Sequence, residues 1–320
     1  GIFMTKPRRL YKGDTIGIIS PSSGVWRRSE MWRSVEAIER WGFKVKLGKY
    51  VYNNHFYLAG SDEARLEDLH DFFKDDSVDA IFCSQGGYGS SRLLRNIDYD
   101  IIRRKPKIFI GFSDITALHL AIIKNTGLVT FHGPAALSAG TDSMTPYRYR
   151  YLMRALLEEE PIGPITMSET TTTYLVKMRG GRVEAPIVGG NLTLICSTLG
   201  TPFEIDTEGK ILFLEELDLE PLIIDHLLVH LINAGKFDNV KGIVVGECAN
   251  CAPFKYDPGF PNQRSLEEVL FELLEPFKVP TIYGLPIGHT KDLATIPLGI
   301  EAALDVDKGV LEILERATLD

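Results

Sequence analysis

Four short strand-patterned runs, each followed by a helix-patterned stretch, constrain this chain more than any other feature. They are TIGIIS at 15–20, FKVKLG at 43–48, VDAIFC at 78–83 and KIFIGF at 107–112. A strand that is apolar on both faces needs cover on both, and alternation with helices supplies that cover in a parallel sheet. The helical stretches are punctuated accordingly. Trp32, Val35 and Ile38 recur at helical spacing within 29–41, with Gly42 as a stop. Ser61 reads as the N-cap of a helix that sets Leu66, Leu69, Phe72 and Phe73 on one face. SSRLLRNI at 90–97 reads as a short helix, and DITALHLAIIKN at 114–125 as a longer one ended by Gly127.

The pattern shifts after about Gly140. Residues 141–160 read as one helix ended by Pro161. The stretch 165–190, rich in Thr and Val, predicts strands joined by a turn at Gly180-Gly181. Helices follow at 191–200, at 221–235 between Pro221 and Gly235, and at 265–277, where Ser265 and Glu268 predict a capping box. Strands are expected at 210–217, 241–247 and 279–286, with short ones at 294–299, 300–306 and 310–316. A chain of 320 residues favours two domains. The expected division is an N-terminal α/β domain at 1–140, a linker at 141–172 and a C-terminal α/β domain at 173–320.

Lys and Arg total 35 against 43 for Asp and Glu, a formal charge of -8. That balance argues against a global grip on nucleic acid or on an anionic membrane surface. Four cysteines are too few for a disulfide scaffold, and Cys83 and Cys196 read as small buried hydrophobes. No run approaches the roughly 18 apolar residues of a membrane helix. The opening GIFMTKPRRLYKGD lacks the apolar core of a secretory signal, and Gly1-Ile2-Phe3 before Met4 reads as an expression remnant. The expected location is the cytoplasm.

Two turns of the first half could carry chemistry. At 107–125 a strand runs into Gly111-Phe112-Ser113-Asp114 and a helix starts at once. A sharp strand-to-helix turn exposes a nucleophilic hydroxyl, and the helix N-terminus beneath it suits a developing oxyanion. Ile115 stands where a full G-x-S-x-G would have its second glycine, so a plain N-cap role for Ser113 or Asp114 remains the competing reading. Ser84-Gln85-Gly86-Gly87-Tyr88-Gly89 also follows a strand, and its adjacent glycines can turn N–H groups into a cleft. Arg92 at the third glycine position spoils a dinucleotide fingerprint, so an oxyanion-hole role or an ordinary turn remains.

In the second half, ILFLEE at 211–216 ends a strand in Glu215 and Glu216, which point to opposite faces, so that one could meet a cleft and the other solvent. His289, in the loop Gly288-His289-Thr290, is one candidate base beside His55, His70, His119, His132, His226 and His230. Cys248-Ala249-Asn250-Cys251 is a lone C-x-x-C without a second pair, and His226 and His230 lie four apart with no Glu after the first. Both are weak metal patterns.

Taken together, these stretches resemble the LD-carboxypeptidase family, the murein tetrapeptide carboxypeptidases among serine peptidases. The matching segments are GDTIGIISPSS at 13–23, SQGGYG at 84–89, PKIFIGFSDITALHL at 106–120, FHGP at 131–134, GGNLTLICSTLGTPFE at 189–204, ILFLEE at 211–216, GIVVGE at 242–247 and LPIGHT at 285–290. They run in order, and the resemblance extends over about 12–316. The resemblance implies a flavodoxin-like parallel-sheet domain followed by a mixed α/β domain of the swivelling type. It implies a Ser–His–Glu triad of Ser113, His289 and Glu215, and an oxyanion hole from the Asp114 N–H and an N–H of Gly86 or Gly87. It also implies release of terminal D-alanine from an L,D bond during cell-wall recycling, without metal or cofactor, by a homodimer. The muropeptide would be the partner molecule. A sister branch, the microcin C immunity peptidases, cleaves aminoacyl-nucleotide mimics with an aromatic-bearing loop; here 169–181 has Tyr174 but no Trp, which favours the carboxypeptidase branch. Ile223-Ile224-Asp225-His226 stands where an arginine is expected. A muropeptide binder without catalysis is the third reading.

Overall fold

A computed structural model of the chain describes residues 4–168, 174–253 and 264–320. The first half builds the expected parallel sheet from β1 (Thr15–Ile19), β2 (Lys44–Leu47), β3 (Ala80–Cys83), β4 (Ile108–Gly111) and β5 (Phe131–His132). Their spatial order is β5-β4-β3-β1-β2, the flavodoxin-like order. β5, too short to stand out from its surroundings, was not among the expected strands.

The helices α1 (Arg28–Arg40), α2 (Asp62–Lys74), α3 (Tyr99–Arg104) and α4 (Thr116–Thr126) flank the sheet. Ser61 caps α2 by accepting the Ala64 N–H at 3.1 Å. α2 packs closely on β1 because Gly17 has no side chain; a methyl there would lie 2.5 Å from the Phe72 ring. α1 buries Met31, Ser34, Ala37 and Ile38. Trp32 therefore faces solvent, not the core: spacing alone permits either face, and the close approach of Gly140 to the Arg33 backbone decides between them. The short helix at 90–97 is a 3-10 turn, Ser90–Asn96.

The rest of the chain supplies α5 (Pro146–Leu156), β6 (Gly163–Ile165), β7 (Val176–Arg179), β8 (Arg182–Asn191), α6 (Leu192–Ser197), β9 (Ile211–Glu215), α7 (Pro221–Asn233), β10 (Gly242–Gly246), α8 (Leu266–Leu274), β11 (Thr281–Leu285), β12 (Ile296–Pro297), β13 (Glu301–Asp305) and β14 (Val310–Ile313). Eight of these strands form a mixed sheet in the order β6-β14-β13-β8-β9-β10-β11-β7. β8 to β11 run parallel, and the others join antiparallel. The capping box of α8 forms as the spacing predicted. The Gly180-Gly181 turn does not make a hairpin: β7 pairs with β11 and β8 with β13 and β9.

The stretch 141–172, expected as linker, carries α5 and β6; its residues 169–172 lie outside the described residues, as do 169–173 of the aromatic-loop comparison. Pro146 starts α5 at its first turn, with Thr145 as N-cap, so the helix is shorter than 141–160. Its Tyr147, Tyr151 and Leu152 belong to a core cluster that also takes Ile110 and Phe131 of the first sheet and Phe213 and Ile282 of the second. The two sheets are further joined by β12, which leaves the second half of the chain and pairs antiparallel with β5. No helix among the described residues is long and apolar enough to cross a membrane.

Candidate active site

Ser113 stands at the carboxyl end of β4, where a parallel α/β sheet opens its ligand crevice. Phe112 is extended (φ −148°, ψ −174°) and Ser113 lies in the left-handed region at φ 63°. A non-glycine residue held there costs on the order of 1–3 kcal/mol and persists only where its surroundings enforce it. A 3-10 turn, Ser113–Ile115, leads directly into α4.

The Asp114 side chain is one of those surroundings. Its buried Oδ2 accepts from Ser22 Oγ at 2.6 Å and from the Ser90 N–H at 2.9 Å, while Ser90 Oγ donates to the Asp114 carbonyl at 2.6 Å. The elbow is thus tied to the exits of β1 and of the glycine-rich loop. Arg65 of α2, fully buried, donates to the carbonyls of Pro21 (2.8 Å), Gly89 (2.9 Å) and Gly60 (3.3 Å), binding the same loops from below. Gly86 lies directly over the elbow: a methyl there would sit 3.2 Å from Ser113 Cβ and 3.4 Å from the Asp114 nitrogen. Gly87 is left-handed at φ 103°, and a methyl there would strike Ser23 Oγ at 2.1 Å. Neither the Gly86 nor the Gly87 N–H donates to any described residue.

Glu215 and His289 approach from the second sheet. Glu215 ends β9, fully buried, and its Oε2 accepts from His289 Nδ1 at 2.7 Å. Gly246 and Gly288 enclose this carboxylate; a methyl on Gly288 would lie 2.8 Å from Glu215 Cβ and 3.0 Å from Oε2. The His289 imidazole packs on the Phe112 ring with centroids 4.8 Å apart, so the residue preceding Ser113 touches the histidine. Burial works against a charge on His289, but the hydrogen bond and charge of Glu215, joined by Glu216, outweigh it and raise its pKa. An imidazole donating through Nδ1 keeps Nε2 free as a proton acceptor.

Glu216 does not face solvent, contrary to one of the expected arrangements. It is buried, and its Oε2 accepts from the Thr193 N–H (3.0 Å) and hydroxyl (2.6 Å) at the start of α6. A helix N-terminus is a favourable place for a carboxylate. Burial nonetheless raises its pKa, with Thr193 opposing.

Sequence reading missed Asn191. It ends β8, caps α6, and donates through Nδ2 to Glu215 Oε1 (3.2 Å) and Glu216 Oε1 (3.0 Å), while its own N–H donates to Thr116 of α4 at 3.0 Å. The signal available was GGN between a strand and a helix. Arg148 of α5 was also missed: its buried guanidinium donates to the carbonyls of Thr290 (2.6 Å) and Lys291 (2.8 Å), fixing the loop that carries His289.

The other candidates fall elsewhere. His119 is buried between Thr130 and the Gly111 carbonyl, its pKa pushed down to about 3 by burial. His132 donates through Nε2 to the Ile287 carbonyl at 2.7 Å, and His70 accepts from the Asp98 N–H. His55, His226 and His230 are exposed. All four cysteines are free, with Cys83 and Cys196 buried as expected. Among the described residues no group of three or more His, Cys, Asp or Glu assembles as a metal cage. A separate cavity of about 310 Å³, lined by Leu120, Lys124, Val188, Ile205 and Lys210, touches none of the candidate residues.

Comparison with known proteins adds a family. The model of the LD-carboxypeptidase N-terminal domain matches residues 16–133, and that of the LD-carboxypeptidase C-terminal domain matches 184–304. A probable murein peptide carboxypeptidase of Bacillus subtilis (strain 168) is 43% identical over 301 residues, covering 94% of this chain and 91% of its own. Among solved structures, the apo microcin C7 self immunity protein MccF superimposes with a TM-score of 0.89 at 28% identity, covering 98% of this chain and 100% of its own. The muramoyltetrapeptide carboxypeptidase from Oxalobacter formigenes gives 0.79 at 28% identity, covering 95% and 100%.

Proposed function

The chain belongs to the LD-carboxypeptidase family of serine peptidases, and on that premise we propose that it releases the terminal D-alanine of murein tetrapeptide with Ser113 as nucleophile, His289 as base and Glu215 as the carboxylate that orients the base. The observation that carries this reading is the 2.7 Å contact from His289 Nδ1 to Glu215 beside the strained elbow. Ser113 Oγ attacks the carbonyl of the diamino acid and its proton passes to His289 Nε2. Glu215 holds the tautomer and balances the imidazolium. The tetrahedral oxyanion is met by the Asp114 N–H and by Gly86 or Gly87. Collapse breaks the C–N bond, and His289 returns the proton to the departing D-alanine amine. Water then enters, loses a proton to His289 and releases the acyl group from Ser113.

The resemblance carries two further parts of the proposal, a homodimer and a cytoplasmic site of action in cell-wall recycling. Four free cysteines accord with a reducing compartment. The domain proposal remains 1–140 for the elbow, 141–172 as connector and 173–320 for Glu215 and His289.

The test follows D-alanine released from L-Ala-γ-D-Glu-diamino acid-D-Ala by the parent and by Ser113→Ala. Release by the parent, with a loss of at least about a thousandfold in the variant, is expected. Equal release by both would remove Ser113 from the chemistry. The superposition on MccF at a TM-score of 0.89 supports one alternative, an aminoacyl-nucleotide hydrolase with the same residues. Cleavage of an aminoacyl sulfamoyl adenosine, with the tetrapeptide untouched, would select it. Tight muropeptide binding without turnover of either substrate would select a binder.

A further inference from the structure

We propose that Trp26, Tyr57 and Tyr88 form an aromatic platform that holds the saccharide end of a muropeptide, making the enzyme prefer substrates that still carry the sugar. This rests on the murein reading above.

These rings are held out in water. Trp26 is 89% exposed, Tyr57 63% and Tyr88 49%. Exposed apolar groups that cluster, as Tyr57 and Tyr88 do, mark a binding site more often than scattered ones, and Trp26 stands on the loop hydrogen-bonded to theirs. The three loops that carry them are those tied to the elbow. Tyr88 follows Gly87, and its N–H donates to Ser23 Oγ at 3.1 Å. The Ser23 N–H donates to the Gly86 carbonyl at 3.2 Å, and the Ala59 N–H to the Ser22 carbonyl at 2.8 Å. Gly24 approaches the Asn53 carbonyl so closely that a methyl would lie 3.1 Å from it. The Tyr57 and Tyr88 rings meet edge to face, centroids 5.3 Å apart at 75°. Ring positions on such a base are preorganised, which lowers the entropic cost of binding.

The chemistry of the substrate fits this position. Only one residue, the terminal D-alanine, lies on the leaving side of the scissile bond. Everything else, peptide and sugar, must run outward from the acyl side over neighbouring surface. The C–H face of a pyranose is apolar and weakly positive, and it stacks on the negative face of an aromatic ring. Tyrosine and tryptophan add polar tips that meet sugar hydroxyls. Arg92, ion-paired to Asp62 at 2.9 Å, lies within electrostatic reach of both tyrosines and supplies further donors.

The test compares kcat/KM for D-alanine release from free tetrapeptide and from N-acetylmuramoyl-tetrapeptide, in the parent, Trp26→Ala, Tyr57→Ala and Tyr57→Phe. The parent is expected to favour the sugar-bearing substrate. Each alanine variant should lose about three- to tenfold on that substrate, through KM, while keeping its rate on free tetrapeptide. Tyr57→Phe should keep most of the preference. Equal rates on both substrates in the parent, or equal losses on both in the variants, would overturn the platform alone. A parent inactive on both would overturn the murein reading and the platform with it. Sedimentation of Trp26→Ala is the second readout: a changed association state would make these rings a subunit contact and overturn the platform.

Discussion

Gly288→Ala isolates one methyl group against the carboxylate that orients His289. Gly288 does not occupy the left-handed region, so alanine adopts its backbone without strain. The added methyl would stand 2.8 Å from Glu215 Cβ, 3.0 Å from Oε2 and 3.3 Å from Cγ. Ordinary contact begins near 3.4 Å, so Glu215 must give by about 0.6 Å. It has nowhere to go. Gly246 faces it from the other side, where Ile287 already fills the space, and Asn191 holds its second oxygen. Overpacking of this kind costs about 1–3 kcal/mol of stability. The hydrogen bond to His289 is displaced by the same shift, and a misplacement of about 1 Å in a catalytic constellation costs on the order of a hundredfold. The expected result is a kcat for D-alanine release lower by about ten- to a hundredfold, with KM little changed, and a Tm lower by a few degrees. Steady-state kinetics on murein tetrapeptide and a thermal melt check both. A folded variant with kcat within about threefold of the parent would refute the claim that the Glu215–His289 geometry governs turnover.

Further outcomes follow from neighbouring groups. As the proposed base, His289 must be neutral to accept a proton, so kcat/KM should rise with pH through a value above the ordinary imidazole range of about 6.5. Glu215→Gln removes the largest raising influence and leaves burial, so the acid limb should move to lower pH as kcat falls. The stability that protonated His289 contributes is fully present below about pH 6.5 and is lost as pH rises through its raised folded value; denaturant melts of parent and His289→Ala across pH 5–9 read it. Ser113→Gly relieves the φ of 63° and should melt higher than Ser113→Ala while both are inactive. Asp114→Ala strands the Ser22 hydroxyl and Ser90 N–H and should cost about 1–3 kcal/mol in urea unfolding, with a larger loss of activity than of stability predicts. Asn191→Ala takes a donor from two buried carboxylates and should lower kcat about tenfold or more at unchanged oligomeric state.

The parallel sheet was legible because strands buried on both faces must be apolar throughout, and IFIG or AIFC leaves little else to be. The strand-to-helix turn at Ser113 was legible for the same reason, since the period of the pattern changes within three residues. Partners distant in sequence were not legible. β7 and β8 are separated by two glycines yet lie far apart in the sheet, because β8 is long enough to pair with β13 along one half and β9 along the other. Local spacing carries no trace of that division. Asn191 looked like a helix cap, which it is, and only the fold brings Glu215 and Glu216 to its amide. Trp32 misled because a three-residue spacing fits two faces of one helix. The resemblance to a known family supplied Glu215 and His289 together, where composition left seven histidines to choose among.

β12 has a consequence for timing. His289 rides on the chain between β11, which belongs to one sheet, and β12, which completes the other. That segment is anchored at both ends only when both sheets exist, and it is synthesised long after the Ser113 elbow. A ribosome-bound chain that already displays the Ser113 elbow therefore lacks the proposed base beside it. On the proposed triad, competence waits for β12, so a molecule cut off before that strand is silent rather than partly active.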